Sequence, residues 1–242
     1  MKSKLLGYFV GAAIGGALLA SPVRAANLIV DGSFEDPTVP VGGFTLFNTG
    51  TTFGTGNPWS VVGPSTGDVG IVYTNFFQNG ITFPAEDGNQ WIDLTGVTQS
   101  PAEGVQQTVA TTIGQQYTLS FYVGNVYNAG GIFGTTSTVD VDINGSQVLA
   151  AENSCTSCTS LLNWQLFTTT FTATSTSTVL AFLNGDPSND TSNGLDNITL
   201  NATTIPPTPL PAAFPLFATG LGALGLFGWR RKRKNASAIA AA

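Results

Sequence analysis

The sequence predicts an all-β fold, a β-sandwich or barrel held between two targeting ends, and three observations carry that prediction. Apolar and polar residues alternate with period two in several runs of residues 27–200. Gly, Asn and Ser break those runs at short intervals, and no stretch of the body keeps helical spacing. The 42% apolar content of the 242-residue chain is too high for an acidic disordered polymer.

Taken in order, residues 1–25 read as a secretory signal peptide. Lys2 and Lys4 precede an apolar run over residues 5–19, and Val23-Arg24-Ala25 is a small-x-small site with cleavage expected after Ala25. The β-sandwich body is expected over 26–203. Leu28-Ile-Val30 is its short opening run, and Trp91-Ile-Asp-Leu94 alternates before a glycine. In Tyr117-Thr-Leu-Ser-Phe-Tyr-Val123 the residues Tyr117, Leu119, Phe121 and Val123 share one face. Val139-Asp-Val-Asp-Ile143 turns back at Asn144-Gly145, a pair suited to the positive φ angles of a type I′ turn, into Val148-Leu-Ala150. Residues 167–171, 179–183 and 195–200 complete the set. Residues 204–211 form a Pro-rich linker. The 212–229 segment carries no charge, and its eighteen residues would reach roughly 27 Å as a helix against a hydrocarbon core of about 30 Å. Arg230, Arg231, Lys232, Arg233 and Lys234 follow as a cytoplasmic stop-transfer cluster heading the 230–242 tail, so one C-terminal transmembrane helix is expected.

Charge is segregated along the chain. All eight cations lie in the two ends, and all fourteen carboxylates lie between them, so the body's formal charge is 0 − 14 = −14. Such a surface repels phosphate backbones and excludes nucleic acid as a partner. It also leaves a buried carboxylate no cationic side chain, only N–H and O–H donors or a metal ion.

Two resemblances follow from the motifs. Thr208-Pro209-Leu210-Pro211-Ala212, the Gly/Ala-rich apolar segment and the basic cluster resemble the PEP-CTERM sorting tail in its Val-Pro-Leu-Pro-Ala variant, with Thr208 in place of Val. That resemblance implies an exosortase as processing partner, with Pro209, Leu210 and Pro211 as the sorting signature. It further implies export, a temporary membrane anchor, and a final place at the cell surface or in the extracellular matrix. In the body, Asn27-Leu-Ile-Val-Asp-Gly-Ser-Phe-Glu35, the 88–96 and 114–121 stretches, and the closing Leu195-Asp-Asn-Ile198 resemble the galactose-binding-like jelly roll shared by many carbohydrate-binding modules. It implies a structural Ca²⁺ held by Glu35 and Asp196 with backbone carbonyls, an oxygen-only shell of the kind calcium takes.

Other candidates are read from the residues themselves. Asp140-Val-Asp-Ile-Asn-Gly145 opens like an EF-hand loop, but its twelfth position is Ala151, so strand and hairpin explain it. Cys155-Thr-Ser-Cys158 lacks the further ligands of a zinc site and is expected as a local disulfide. Trp59, Phe76, Phe77 and Tyr127 stand in Gly/Asn-rich stretches and are the candidate ligand aromatics, whereas Trp91 and Trp164 are expected in the core. Without His, Lys or Arg the body can build no Ser–His triad, Schiff base or phosphate clamp, so an enzyme is not expected. The function read from the sequence is a structural or adhesive surface protein that binds extracellular polysaccharide. A carboxylate-pair glycoside hydrolase is the alternative.

Overall fold

The computed structural model describes residues 26–188, 192–203 and 225. The chain divides into two compact units, Met1–Thr203 and Thr204–Ala242, and the strands given below all belong to the first. Ala25 and the signal peptide, the Pro209-Leu210-Pro211 signature, the apolar 212–229 segment apart from residue 225, and the Arg230 to Lys234 cluster lie outside the described residues. Among the described residues no helix is long and apolar enough to cross a membrane.

The body is an all-β jelly-roll sandwich of two six-stranded antiparallel sheets, with strands numbered in chain order. The first sheet runs β1 (Phe44–Asn48), β4 (Asp68–Tyr73), β7 (Gln90–Asp93), β14 (Gly194–Ala202), β9 (Gln116–Asn125), β12 (Asn163–Thr172). The second runs β11 (Ser146–Asn153), β10 (Ser137–Ile143), β13 (Ser177–Asn184), β8 (Gly104–Ala110), β3 (Trp59–Val62), β2 (Thr52–Phe53). Most neighbours are non-consecutive, because the chain passes repeatedly between sheets. A separate hairpin pairs β5 (Phe76–Gln78) with β6 (Ile81–Phe83).

Local sequence explains the strongest strands. In β9 the alternating Tyr117, Leu119, Phe121 and Val123 are all buried between the sheets. Asn144 and Gly145 take φ of 52° and 78°, as the type I′ hairpin between β10 and β11 requires. The opening run is different. Leu28-Ile-Val30 is no strand, because Asn27 Oδ1 takes the N–H groups of Ile29 and Leu200 where a ladder would otherwise form.

The main core fills the space between the sheets with Val69, Ile71, Ile92, Leu119, Phe121 and Leu195 from one side and Trp59, Val105, Val139, Leu180 and Phe182 from the other. Each such side chain contributes about 1.5–3 kcal/mol when removed from water. A second cluster, including Val72, Ile81, Phe83, Trp91, Phe133 and Leu162, is separate from it. It lies on the opposite, outer face of the first sheet, and it positions the site.

Candidate active site

Strand register builds the site. On the outer face, one row of paired residues crosses the whole first sheet: Leu46, Gly70, Asp93, Gly194, Gly124, Trp164. Paired residues share a face, so three glycines and one acid make a trough between two bulky ends. Trp164 lies over the glycines at 124 and 194, and its Nε1–H donates to Pro84 O at 3.0 Å. Trp91, two residues before Asp93 and therefore on the same face, meets Trp164 edge-on with ring centres 5.8 Å apart.

Two segments roof this trough. The β5–β6 hairpin supplies Phe76 and Phe83, and the 126–136 connection supplies Ile132 and Phe133. Phe83 stacks on Trp91 at 6.1 Å and meets Phe133 at 5.2 Å, while Phe76 packs edge-on against Phe44 at 5.6 Å. The loop between β11 and β12 fastens both segments. Thr82 N–H donates to Ser160 O, Leu162 N–H to Thr82 O, and Tyr127 N–H to Cys158 O. That loop carries the Cys155–Cys158 disulfide.

What is left open is a cavity of about 250 Å³. A dry cavity of about 150 Å³ suffices for benzene, so there is room for a larger aromatic. Asp93 is the one ionisable side chain among the described residues that line it. Its Oδ1 accepts three hydrogen bonds, from Thr95 N (3.0 Å), Thr95 Oγ1 (2.7 Å) and Asn193 N (3.1 Å). Among the described residues no hydrogen bond reaches Oδ2, so that oxygen is available to carry a proton. The residue remains partly solvent-accessible through the cavity, yet its carboxyl is packed by protein. Burial pushes its pKa up to about 6, with the Asp68 charge adding to the rise and the three donors opposing it. A carboxylic acid partly protonated near neutral pH can serve as a general acid.

The wall beside Asp93 rests on two more acids. Asp68 Oδ1 accepts the N–H groups of Val97 and Thr98, and Glu103 accepts Thr98 Oγ1–H at 2.8 Å and Ser100 N–H at 2.9 Å. Burial lifts Glu103 to about 7, with Asp68 adding to it. These bonds hold the loop that presents Gly96, Val97 and Gln99 to the cavity.

The residues singled out from sequence scatter. Phe76 lines the cavity, but Phe77, its neighbour on the hairpin, is 65% exposed and is not part of the lining. Tyr127 is likewise outside the lining. Trp59 is corrected outright: it is no loop aromatic but a fully buried part of β3, 5.3 Å from Phe34 and donating Nε1–H to Asp31 O. Trp91 is buried in the second core cluster, as expected, and it also lines the cavity. Glu35 Oε1 accepts N–H from Asn89 and Gln90, and Asp196 Oδ2 accepts N–H from Glu86 and Asp87. Both acids thus hold one loop, 86–90. Asp196 is fully buried, and that burial pushes it up to about 8 despite a further N–H from Asn197. Among the described residues no group of three His, Cys, Asp or Glu is placed to hold a metal ion.

Asp93 is the candidate residue that sequence reasoning missed. Its signal was present in Trp91-Ile-Asp-Leu94, where period two puts a carboxyl on the same face as an indole and opposite two aliphatics.

Comparison with known proteins bears on this geometry. The HpiC1-like family model, described as HpiC1 cyclase, matches residues 25–201. Among solved structures, the Stig cyclase Fisc from Fischerella sp. TAU in complex with (3Z)-3-(1-methyl-2-pyrrolidinylidene)-3H-indole is 18% identical, with 74% of this chain and 98% of that chain covered and a TM-score of 0.50. A cyclase from the same organism is 19% identical over 74% of this chain and 100% of that chain, at a TM-score of 0.49. The CBM22-1 xylan-binding domain of Paenibacillus barcinonensis Xyn10C is 16% identical over 69% and 96%, at 0.40. At such identities the likeness is one of fold. No curated protein matches the sequence. The family match overturns two expectations, that the chain is not an enzyme and that it is an adhesive polysaccharide-binding matrix protein or else a glycoside hydrolase. The physical reason is that lack of His and cations rules out triads and Schiff bases but not catalysis by one dehydrated carboxyl.

Proposed function

The chain belongs to the HpiC1-like cyclase family, whose model matches it over residues 25–201, and on that premise we propose that it catalyses an acid-promoted cyclisation of an uncharged, aromatic-bearing substrate. The observation that carries the reading is the place of Asp93, the one ionisable side chain among the described residues lining an aromatic cavity, where burial pushes its pKa up to about 6. The proton on Asp93 passes to an alkene carbon, whose π electrons form the new C–H bond. The aromatic ring then attacks the cation to close the new ring, and the product returns a proton to the Asp93 carboxylate. The positive charge that develops between these steps sits against the faces of Trp91, Phe83 and Phe133, and an aromatic face attracts a cation within about 6 Å. The roof excludes water that would otherwise quench the cation. The indole-containing ligand of the Fischerella enzyme is of the class such a lining suits.

Incubation with a panel of indole-bearing alkenes in D₂O tests this. A cyclised product carrying deuterium at the protonated carbon is expected, and Asp93→Asn should lower its rate by about 10²–10⁴. Turnover by Asp93→Asn equal to the parent would overturn the assignment.

We further infer export and temporary anchoring, on the strength of the signal peptide, the 212–229 segment and the sorting signature. The expected product lacks residues 1–25 and the basic tail, and recovery of an uncut chain from cell-surface fractions refutes it. We infer a structural Ca²⁺ at Glu35 and Asp196 from the jelly-roll resemblance alone, with backbone carbonyls needed to complete its shell. A melting temperature unmoved by excess chelator excludes that ion.

A further inference from the structure

Three glycines share the row that Asp93 occupies, and packing accounts for two of them. A Cβ on Gly124 would stand 2.8 Å from the Trp164 ring, and one on Gly194 2.9 Å from it, so the indole can lie there only because both side chains are missing. Gly70 has no such reason. Its φ is outside the left-handed region, and a Cβ there would meet nothing nearer than Leu46 Cδ2 at 3.6 Å and Asp93 Cβ at 4.0 Å. Those are ordinary contacts. The position lies inside β4, paired to Leu46 on one side and Asp93 on the other. A glycine inside a strand weakens it and often marks the close approach of a ligand. Gly70 lines the cavity beside the acid.

We infer that Gly70 is a specificity-determining residue: its missing side chain sets the size of the ring system that can lie against Asp93. The inference rests on the cavity being the substrate site. A larger residue at 70 would fill the floor of the trough from β4, whereas Trp164 already fills the equivalent space above Gly194 and Gly124. The open part of the row is therefore bounded by Leu46 and Trp164, and its depth is fixed at Gly70.

The test titrates indole and benzene, by saturation-transfer NMR, onto the full-length protein and its Gly70→Ala and Gly70→Leu variants, with a thermal melt of each. Indole affinity should fall several-fold in Gly70→Ala and at least tenfold in Gly70→Leu, with benzene less affected and the melting temperature unchanged or higher. Indole binding by Gly70→Leu equal to the parent overturns the size role alone and leaves the cavity reading intact. A melting temperature that falls in step with affinity also overturns it, because the glycine would then be required by packing. Failure of the parent to bind indole at all overturns the cavity reading, and this inference with it.

Discussion

The two faces of the first sheet use the same strands and differ at every step. On the inner face β4, β7, β9 and β14 present Ile71, Ile92, Leu119, Phe121, Val123 and Leu195, each fully buried. One residue to either side, the outer face presents Gly70, Asp93, Gly124 and Gly194. The inner residues are branched or aromatic, fill space and fix register. The outer ones leave space unfilled and keep an acid out of bulk water, both of which cost stability and both of which a reaction on an apolar substrate needs. Alternation along a strand lets one backbone serve both ends without compromise between them.

The contrast is sharpest in paired substitutions. Phe121→Ala, on the inner face, should lower stability by about 3–5 kcal/mol, since the sandwich cannot close over a missing ring that stacks on Phe167 and meets Phe182 edge-on. Chemical denaturation measures it. Asp93→Asn, on the outer face, should leave the midpoint unchanged or raise it at pH 8, because the amide oxygen can keep the Thr95 and Asn193 hydrogen bonds without a buried charge. A large destabilisation by Asp93→Asn would mean that the acid is structural, and the difference between the faces would collapse.

A pH series tests the same contrast more gently. Asp93 and Glu103 have folded pKa values raised from 3.8 and 4.5 to about 6 and 7, both chiefly by burial. Each holds its proton more tightly folded than unfolded. Their stabilising contribution is therefore complete below about pH 4 and is lost as the pH rises through about 6 to 7. The melting temperature should fall between pH 5 and pH 8.5, and a rise over that range would show that these acids are ionised when folded. Turnover should fall over the same window, beginning near pH 6, as Asp93 gives up its proton.

The smallest expected effect is at Thr95. Thr95→Val removes the 2.7 Å Oγ1–H donor to Asp93 Oδ1, so the Asp93 pKa should rise above about 6, and Thr95→Ser should restore it. Carboxyl-carbon NMR reads this directly. An unchanged titration would show that Thr95 holds the loop and does not tune the acid.

Much of this fold is legible in local pattern. The alternation in β9, the Asn144-Gly145 hairpin and the paired Trp91 and Asp93 faces all follow from period two and turn chemistry. The region containing β1 to β6 is not legible in that way. Its strands are short, and β4 reads Asp-Val-Gly-Ile-Val-Tyr, with a glycine breaking the run. The candidate site was harder still. Period two tells which residues share a face, but it does not tell which face will be covered, or by what. Trp59 and Trp91 are both tryptophans in strands, and they part company only because Phe34 and Phe182 pack onto the first while a remote hairpin leaves a cavity beside the second.

From its residues alone, then, the body is bound to be a β-protein with no cationic side chain, so any buried acid in it has to be held by N–H and O–H donors or by a metal. That much is composition and local stereochemistry. Only the tertiary structure decided that Asp93 would be the acid beneath an aromatic roof. The reason is that roof, floor and donors come from positions as far apart in sequence as Phe44, Phe133, Trp164 and Asn193, and nothing short of the folded sheet brings them to one place.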